Sequence, residues 1–162
     1  MYERGTLDVG CGVFDYKLSK PTTYLKMFDQ FCYRVENFPT FSGDVGENWV
    51  REYAGDACAG SGLDEQKIKA GKSETFIQWT TNTNKAPYQF NVWWIEGCKL
   101  DDNGPSEVLA SNPLLVDDPG DTVCQDTLVQ NFKNCNNKGV GGNVQVGCLM
   151  YEFMAHEKKR AF

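Results

Sequence analysis

Seven cysteines, none of them close to another in sequence, constrain the fold more than any other feature of this 162-residue chain. Neighbouring cysteines are separated by 11 to 40 positions, and no CxxC pair occurs. Structural zinc sites place their ligands about two to four residues apart, so we expect no metal site. Dispersed cysteines favour a disulfide framework in a secreted protein, because reducing compartments keep thiols free. Three pairs would leave one thiol over, and the candidates are Cys11, Cys32, Cys58, Cys98, Cys124, Cys135 and Cys148.

The charge balance argues against several classes of partner. The 16 Lys and Arg residues are outnumbered by 22 Asp and Glu residues, which gives a formal net charge of -6. Proteins that bind nucleic acids need a basic face to displace counterions from phosphates, so we expect no nucleic-acid partner. A membrane-spanning helix needs about 20 apolar residues, and the longest apolar run here, at 92–95, is far shorter. Residues 1–4 lack the apolar segment of an export signal, and we interpret the sequence as the mature region of an exported protein.

Hydrophobic spacing predicts one α+β domain at residues 11–155, between a flexible N-terminus at 1–10 and a charged tail at 156–162. A helix is predicted at 22–37 because apolar residues recur there at intervals of 3, 4 and 3. Alternation predicts a hairpin of two strands joined by a turn rich in Thr and Asn. The predicted order is a strand at 11–18, a helix at 22–37, strands at 74–81 and 88–98, a helix at 122–136 and a strand at 144–153.

This order is that of a split βαβ, or ferredoxin-like, sandwich, in which an antiparallel sheet carries two helices on one face. The glycine-rich segment 38–63 is predicted to be a long ordered loop or irregular connection, and the segment 99–120, rich in Asp and Pro, is predicted to be a surface loop. The Gly-rich run at 139–142 follows a helix instead of preceding one. It is therefore interpreted as a turn and not as a phosphate cradle, and we expect no cofactor.

The second predicted helix restricts the disulfide pairing. Cys124 and Cys135 would lie about 16 Å apart along the helix axis, at about 1.5 Å per residue. A disulfide requires Cα atoms within about 7 Å, so these two cysteines are predicted not to bond to each other. Each must reach the sheet or a loop, which would fasten the helix at both ends. Thr122 and Gln125 have the spacing of a capping box at its start.

The sequence FIQW at 76–79, followed by Cys98, by Cys124 and Cys135 on a helix, and by a Gly-rich turn into a strand, resembles a known family. It is similar to the small killer-toxin-like proteins and extracellular effectors of fungi, and to related tail modules of fungal family 18 chitinases. The resemblance covers about half of the chain, residues 73–153. It implies a disulfide-stabilised split βαβ sandwich and a secreted, non-enzymatic virulence protein that acts on a host or competitor. The chain differs in having no cysteine directly after Cys135 and in its long segment at 38–63.

Aromatic residues are the best binding candidates. Trp93 is predicted on the face of its strand opposite Phe90, Val92 and Trp94, and an exposed aromatic strip could bind a partner protein or stack on a sugar ring. The alternative is that segment 38–63 covers Trp93, since it is long enough to lie across the sheet. The candidate binding residues are Phe76, Trp93 and Tyr151.

Three functions remain after this reasoning. The first is a secreted effector-like or toxin-like protein that recognises a host or competitor protein or a cell-wall glycan. The second is a carbohydrate-binding module that uses exposed aromatics. The third is a small hydrolase, which would need two carboxylates held about 5–10 Å apart. His156 lies in the charged tail and is not expected to be a catalytic base. The carboxylate candidates are Asp101, Asp102, Asp117, Asp118 and Asp121.

Overall fold

A computed structural model describes residues 13–17, 24–38, 45–71, 76–81, 87–100, 106–115, 117, 119–120 and 122–155. The predicted N-terminal and C-terminal tails, at 1–10 and 156–162, lie outside the described residues. The helices are α1 (Glu47–Gly55) and α2 (Val123–Lys133). The strands are β1 (Val13–Lys17), β2 (Tyr24–Cys32), β3 (Lys67–Lys69), β4 (Phe76–Thr81), β5 (Pro87–Trp94), β6 (Glu107–Leu109), β7 (Gly141–Val146) and β8 (Leu149–Met154).

Six strands form one antiparallel sheet in the order β1-β2-β7-β8-β5-β4, and β3 and β6 form a separate two-stranded sheet. The α+β class and the antiparallel sheet are therefore confirmed. The predicted hairpin is also confirmed, because β4 and β5 pair in register from Phe76 opposite Val92 to Thr81 opposite Pro87. The predicted strand at 11–18 corresponds to β1, and the helix predicted at 122–136 corresponds to α2.

The main core lies between the two helices and one face of the sheet. Alternate residues of β5, among them Tyr88, Phe90 and Val92, are fully buried in this core together with Val144 of β7. The helix α2 contributes the buried Leu128 and others to the same cluster. Since successive side chains of a strand point to opposite faces, the intervening residues of β5, β7 and β8 form a second, separate layer.

Contacts between the two helices hold α1 against α2. Arg51 of α1 forms an ion pair with the nearly buried Asp126 of α2, with Nη1 and Oδ1 3.2 Å apart. The Gln125 side-chain amide donates to the Arg51 carbonyl over 2.8 Å. The predicted capping box therefore does not form. Thr122 is the N-cap residue, but its side chain makes no capping hydrogen bond, and Gln125 bonds to the neighbouring helix instead.

The helix predicted at 22–37 is wrong. Residues Tyr24–Cys32 form the strand β2, which pairs with β1 on one side and with β7 on the other. A strand inside a sheet carries apolar residues on both faces, and such a run also produces intervals of 3 and 4. The backbone hydrogen bonds to two neighbouring strands therefore decide the conformation, and the spacing of apolar residues does not.

Two further predictions need correction. The last predicted strand is a hairpin, because Val146 of β7 lies opposite Leu149 of β8 and only two residues connect them. Gly147 is the first of the two and has φ +58°, as a type II′ hairpin turn requires. The segment 38–63 includes α1, and 99–120 includes β6. With β2 in place of a helix and two strands in place of one, the structure does not confirm the split βαβ arrangement.

Three disulfides cross-link the described part of the chain. Their Cα atoms lie 5.3 to 5.9 Å apart, within the normal range. Cys124 and Cys135 are not bonded to each other, as predicted, and each joins α2 or its C-terminal extension to another element. Cys11 lies outside the described residues. The pairs are Cys32–Cys135, Cys58–Cys124 and Cys98–Cys148. Among the described helices, none is long and apolar enough to cross a membrane.

Candidate functional site

The structure places the aromatic candidates in different surroundings. Tyr151 of β8 is fully buried in the main core, and its hydroxyl donates a hydrogen bond of 2.6 Å to the Ala110 carbonyl oxygen. It therefore cannot contact a partner at the surface, because it lies on the face of the sheet that the helices cover. Phe76 lies on β4, opposite Val92, but its side chain lies outside what the structure describes.

Trp93 lies on the face of the sheet away from the helices, as predicted, but it is only 7% exposed. Its ring belongs to a small apolar cluster with Ile95 and Met150. Within the described part of segment 38–63, the ring of Tyr53 lies 5.2 Å from that of Tyr88 on the opposite face, whereas the ring of Phe38 lies 6.0 Å from that of Tyr33. An exposed aromatic strip is therefore not found among the described residues, in which Leu115 is the one large apolar side chain that is exposed.

The face that carries Trp93 has an unusual composition for a surface shielded from solvent. Five polar side chains of β5, β7 and β8 lie on it, and each is between 0% and 6% exposed. We call them the polar layer: Gln89, Asn91, Asn143, Gln145 and Glu152. On the same three strands, the opposite face is built from aromatic and aliphatic residues. Polar residues are seldom buried to this degree unless they are paired.

The central row of the polar layer follows from the strand register. Asn91 of β5 lies opposite Glu152 of β8, and Glu152 lies opposite Asn143 of β7. Residues directly opposite each other have Cβ atoms about 4.5–5.5 Å apart, so the three side chains form one continuous row. Gln89 and Gln145 lie two positions along their strands from this row and therefore on the same face.

Tyr33, which follows β2, links two members of the layer. Its hydroxyl donates to a carboxylate oxygen of Glu152 and accepts a hydrogen bond of 3.0 Å from the Asn143 amide. The ring lies 5.9 Å from that of Phe31 in an edge-to-face arrangement. Tyr33 therefore bonds to the central carboxylate of the row and to Asn143 at one of its ends, and it supplies an aromatic ring beside them.

Several amide oxygen and nitrogen atoms of the layer have no hydrogen-bond partner within the described part of the chain. A buried polar atom without a partner costs about 1–3 kcal/mol, so several of them on the two strands β5 and β7 are an unusual concentration. The atoms are Gln89 Oε1, Asn91 Oδ1 and Nδ2, Asn143 Oδ1 and Gln145 Oε1. This arrangement provides hydrogen-bonding capacity that the described protein atoms do not use.

The sequence contains only a weak signal for this layer. Gln89 and Asn91 alternate with apolar residues, which is the usual pattern of a strand with one face in water. The same pattern arises when the polar face is shielded, so alternation cannot distinguish the two cases. Asn143 and Gln145 alternate with valines in the same way. The predicted strand at 144–153 excluded Asn143 and included Gln145, whereas both lie in β7, the first strand of a hairpin.

A second feature is an open depression beside the Cys32–Cys135 disulfide, with a volume of about 710 Å³. Its wall includes Phe132, which packs against the main core, and the exposed Lys133 and Lys138. Lys138 has φ +63°, and the next residue, Gly139, has φ +86°. These two left-handed residues form the turn that ends the segment after α2 and that positions Lys138 at the rim.

Cys58, Asp64 and Cys124 bring possible metal-ligating atoms within 4.8 Å of one another. Two of the three atoms are the sulfurs of a disulfide. Metal binding to cysteine requires a thiolate, so the oxidised cluster offers a single carboxylate and does not form a ligand set.

The carboxylates predicted for a hydrolase are not brought together by the described structure. Asp117 is exposed, and the remaining candidates lie outside the described residues, as does His156: Asp101, Asp102, Asp118 and Asp121. Comparison with known proteins adds no constraint: no protein-family model, no curated protein and no solved structure matches this chain. The resemblance to fungal killer-toxin-like proteins is therefore neither supported nor opposed by these comparisons.

Proposed function

We propose that this protein is a secreted, disulfide-stabilised recognition protein, effector-like or toxin-like, that acts on a host or competitor without catalysing a reaction. The observation that carries the proposal is the set of three disulfides. Such cross-links form and persist in oxidising compartments and are rare in cytosolic proteins. The resemblance to fungal killer-toxin-like proteins points to the same class and, with it, to a virulence role.

The positions of the disulfides support a role outside the cell. Cys58–Cys124 and Cys32–Cys135 join segments 66 and 103 residues apart and fasten α2 near both of its ends. Cys98–Cys148 joins the end of β5 to the turn between β7 and β8. Each cross-link closes a long loop, and a cross-link of this kind typically contributes about 2–4 kcal/mol of stability. A rigid framework of this kind preserves a recognition surface where no chaperones are present.

The depression beside Cys32–Cys135 is the described surface best suited to recognition. Lys133 and Lys138 place two positive charges at a depression whose wall also contains the half-buried Phe132 ring and one carboxylate, that of Glu47, which forms an ion pair with Arg51 over 3.6 Å. Aromatic rings are enriched in protein interfaces, whose rim is polar and accessible to solvent. Because the chain as a whole carries a charge of -6, a locally basic surface would favour a partner with acidic groups.

The two alternative functions receive no such support from the described residues. A carbohydrate-binding module with exposed aromatics requires rings at the surface, whereas Tyr151 is buried and Trp93 nearly so. A hydrolase of the predicted kind requires two of the loop aspartates to face each other, and Asp117 is the only one described.

The first experiment counts free thiols in the protein isolated from its natural source. Alkylation under denaturing, non-reducing conditions followed by mass spectrometry should modify one cysteine, and peptide mapping should identify it as Cys11. Modification of all seven cysteines would overturn the proposal, because it would show a reduced protein from an intracellular compartment.

The second experiment tests recognition directly. Fluorescently labelled native protein should bind saturably to intact cells of at least one host or competing microorganism, and unlabelled protein should displace it. The double substitution Lys133→Glu with Lys138→Glu should weaken this binding at least tenfold. The matched control, Lys67→Glu with Lys69→Glu on the remote strand β3, should leave it unchanged. Equal binding by both variants would exclude the depression as the recognition surface.

A further inference from the structure

We propose that the outer face of α1 binds a basic segment of a partner protein, with an arginine side chain lying on an aromatic pair beside two carboxylates. We call this surface the α1 patch, and it consists of Trp49, Glu52, Tyr53 and Asp56. The inference goes beyond the proposed function and does not rest on it. None of the four residues lines the depression beside Cys32–Cys135, and the argument holds for a protein of any compartment.

The spacing of the four residues places them on one face of the helix. Side chains three or four positions apart are neighbours on a helix surface. Trp49 and Tyr53 are four positions apart, as are Glu52 and Asp56, and each carboxylate follows a ring residue by three positions. Asp56 directly follows α1 and keeps a helical backbone, with φ -63° and ψ -39°. The two rings therefore form one row, and the two carboxylates form a second row beside it.

The aromatic pair is anchored to the core on one side and partly exposed on the other. The rings of Trp49 and Tyr53 stack, with centroids 5.6 Å apart and planes 23° from parallel. Tyr53 also meets the buried ring of Tyr88 edge to face over 5.2 Å. Val50 and Ala54, on the side of α1 that faces the core, are 0% exposed, whereas both rings of the pair are partly exposed. Rings held in this way lose little conformational freedom when a partner binds.

The patch keeps two negative charges that no neighbouring cation neutralises. Glu52 and Asp56 are exposed, and neither forms an ion pair within the described part of the chain. Arg51 is the one cation in the sequence of α1. It pairs with Glu47 over 3.6 Å and with Asp126 over 3.2 Å, so its charge is already engaged. The patch therefore combines an aromatic surface with two carboxylates that lack a counter-charge.

This combination fits an arginine side chain. A guanidinium is planar and permanently charged, so it can stack on an aromatic ring while its N–H groups pair with carboxylates. Burial, and then the carboxylates of Glu52 and Asp56, raise the pKa of Tyr53, so both carboxylates act on a ring that the cation would contact. The formal net charge of -6 also attracts a basic segment from a distance. An acidic partner would be repelled by the same groups.

The test is a titration of the full-length oxidised protein with a capped arginine–glycine repeat peptide. The indole N–H resonance of Trp49 is followed by nitrogen-15 NMR and should shift saturably. Glu52→Gln with Asp56→Asn should weaken binding at least fivefold, because two exposed ion pairs are lost. The matched control, Glu96→Gln with Asp117→Asn, removes the same charge from exposed residues elsewhere and should change binding less than twofold. Both double variants should unfold at about the same urea concentration as the unmodified protein.

The aromatic contribution is measured separately by calorimetry. Trp49→Leu should weaken binding of the peptide about two- to fivefold, as expected for the loss of a cation–π contact at an exposed site. Trp49→Phe, which keeps an aromatic ring, should weaken binding less than Trp49→Leu does. Equal losses in the two variants would show that the cation does not lie on the ring.

Four further results would overturn the inference. In the first, the arginine peptide leaves the Trp49 resonance unchanged. In the second, the citrulline counterpart of the peptide, which has the same shape without the charge, binds equally well. In the third, both double variants lose binding equally, so that only the overall charge attracts the peptide. In the fourth, sedimentation shows self-association that Glu52→Gln with Asp56→Asn and Lys133→Glu with Lys138→Glu each abolish, which makes a second copy of this chain the occupant. The thiol count and the cell-binding assay do not depend on any of these results.

Discussion

Tyr151 shows how a single residue can belong to a different part of the molecule than its sequence suggests. It is a candidate binding residue because the sequence is compatible with a position beside Trp93 on the outward face of the sheet. The last strand is apolar on both faces, so its pattern does not reveal which face the helices cover. The structure places it on the helix-covered face, where its hydroxyl donates to the Ala110 carbonyl oxygen. Burial, and to a lesser extent the nearby Asp64 carboxylate, raises the pKa of Tyr151 well above its ordinary value.

We expect Tyr151→Phe to lower the free energy of unfolding at neutral pH by about 1–3 kcal/mol, because the Ala110 carbonyl loses its donor. The raised pKa also makes stability depend on alkaline pH. The unfolded chain releases the phenol proton near pH 10, whereas the folded protein retains it, so stability falls as the pH rises above about 10. In Tyr151→Phe this fall should be smaller. Urea denaturation at pH 7 and at pH 10.5 measures both effects, and an unchanged alkaline slope would show that Tyr151 does not cause it.

Residue-level prediction succeeded where geometry alone decides and failed where burial decides. The exclusion of a Cys124–Cys135 bond followed from the length of a helix and was confirmed. Alternation placed Trp93 on the correct face but left open whether it is exposed or covered, since no local pattern reports what covers a strand. The polar layer was missed for the same reason: Asn91 between Phe90 and Val92 has the pattern of a residue in water.

At the scale of elements, local propensity and partner strands compete. The hairpin of β4 and β5 and the helix α2 were predicted because each has a pattern strong enough to identify it alone. The strand β2 was predicted as a helix because its apolar residues recur at intervals that fit both conformations, and its pairing with β1 and β7 decides the outcome. The hairpin of β7 and β8 was missed because Gly147 and Cys148 form a turn too short to interrupt the apolar run.

The pairing of β7 with β8 depends on Gly141. Its φ is +117°, and a Cβ atom there would lie 2.0 Å from the Phe153 carbonyl oxygen, a backbone atom that cannot move aside. We expect Gly141→Ala to destabilise the fold by more than about 3 kcal/mol, in the range of severe substitutions. Gly71→Ala is the matched control, because Gly71 also has a positive φ, of +82°, but nothing lies within 4 Å of the added atom. It should cost about 1–2 kcal/mol from backbone strain alone. Equal losses of stability for the two variants in thermal unfolding would show that β8 leaves room for a Cβ atom at position 141.

At the scale of the whole molecule, the sequence predicted that disulfides tie distant segments together but not which ones. Seven cysteines allow many pairings, and helix geometry removes only those that join Cys124 to Cys135. The observed pairs depend on the sheet order, since Cys32 lies near Cys135 only because β2 is a strand beside β7. Because residues 22–37 were predicted to form a helix, the pairing of Cys32 with Cys135 could not be predicted from the sequence.

The three disulfides should differ in their resistance to reduction, because a reducing thiolate must reach a sulfur atom before it can attack. Cys58 and Cys124 are both buried, at 2% and 1% exposure. Each of the other two disulfides contains one partly exposed cysteine, Cys32 in one and Cys98 in the other. In native buffer with limiting dithiothreitol, we expect Cys32–Cys135 and Cys98–Cys148 to open first. Cys58–Cys124 should persist at least tenfold longer, since its reduction requires α1 and α2 to separate.

Timed alkylation and peptide mapping measure this order. In about 6 M guanidinium chloride the same experiment should open all three bonds at similar rates, because the difference arises from burial in the folded state and not from the bonds themselves. Early loss of Cys58–Cys124 in native buffer would contradict the prediction. It would mean that the contact between α1 and α2, with its Arg51–Asp126 ion pair, opens more readily than the sheet and is the least stable part of the molecule.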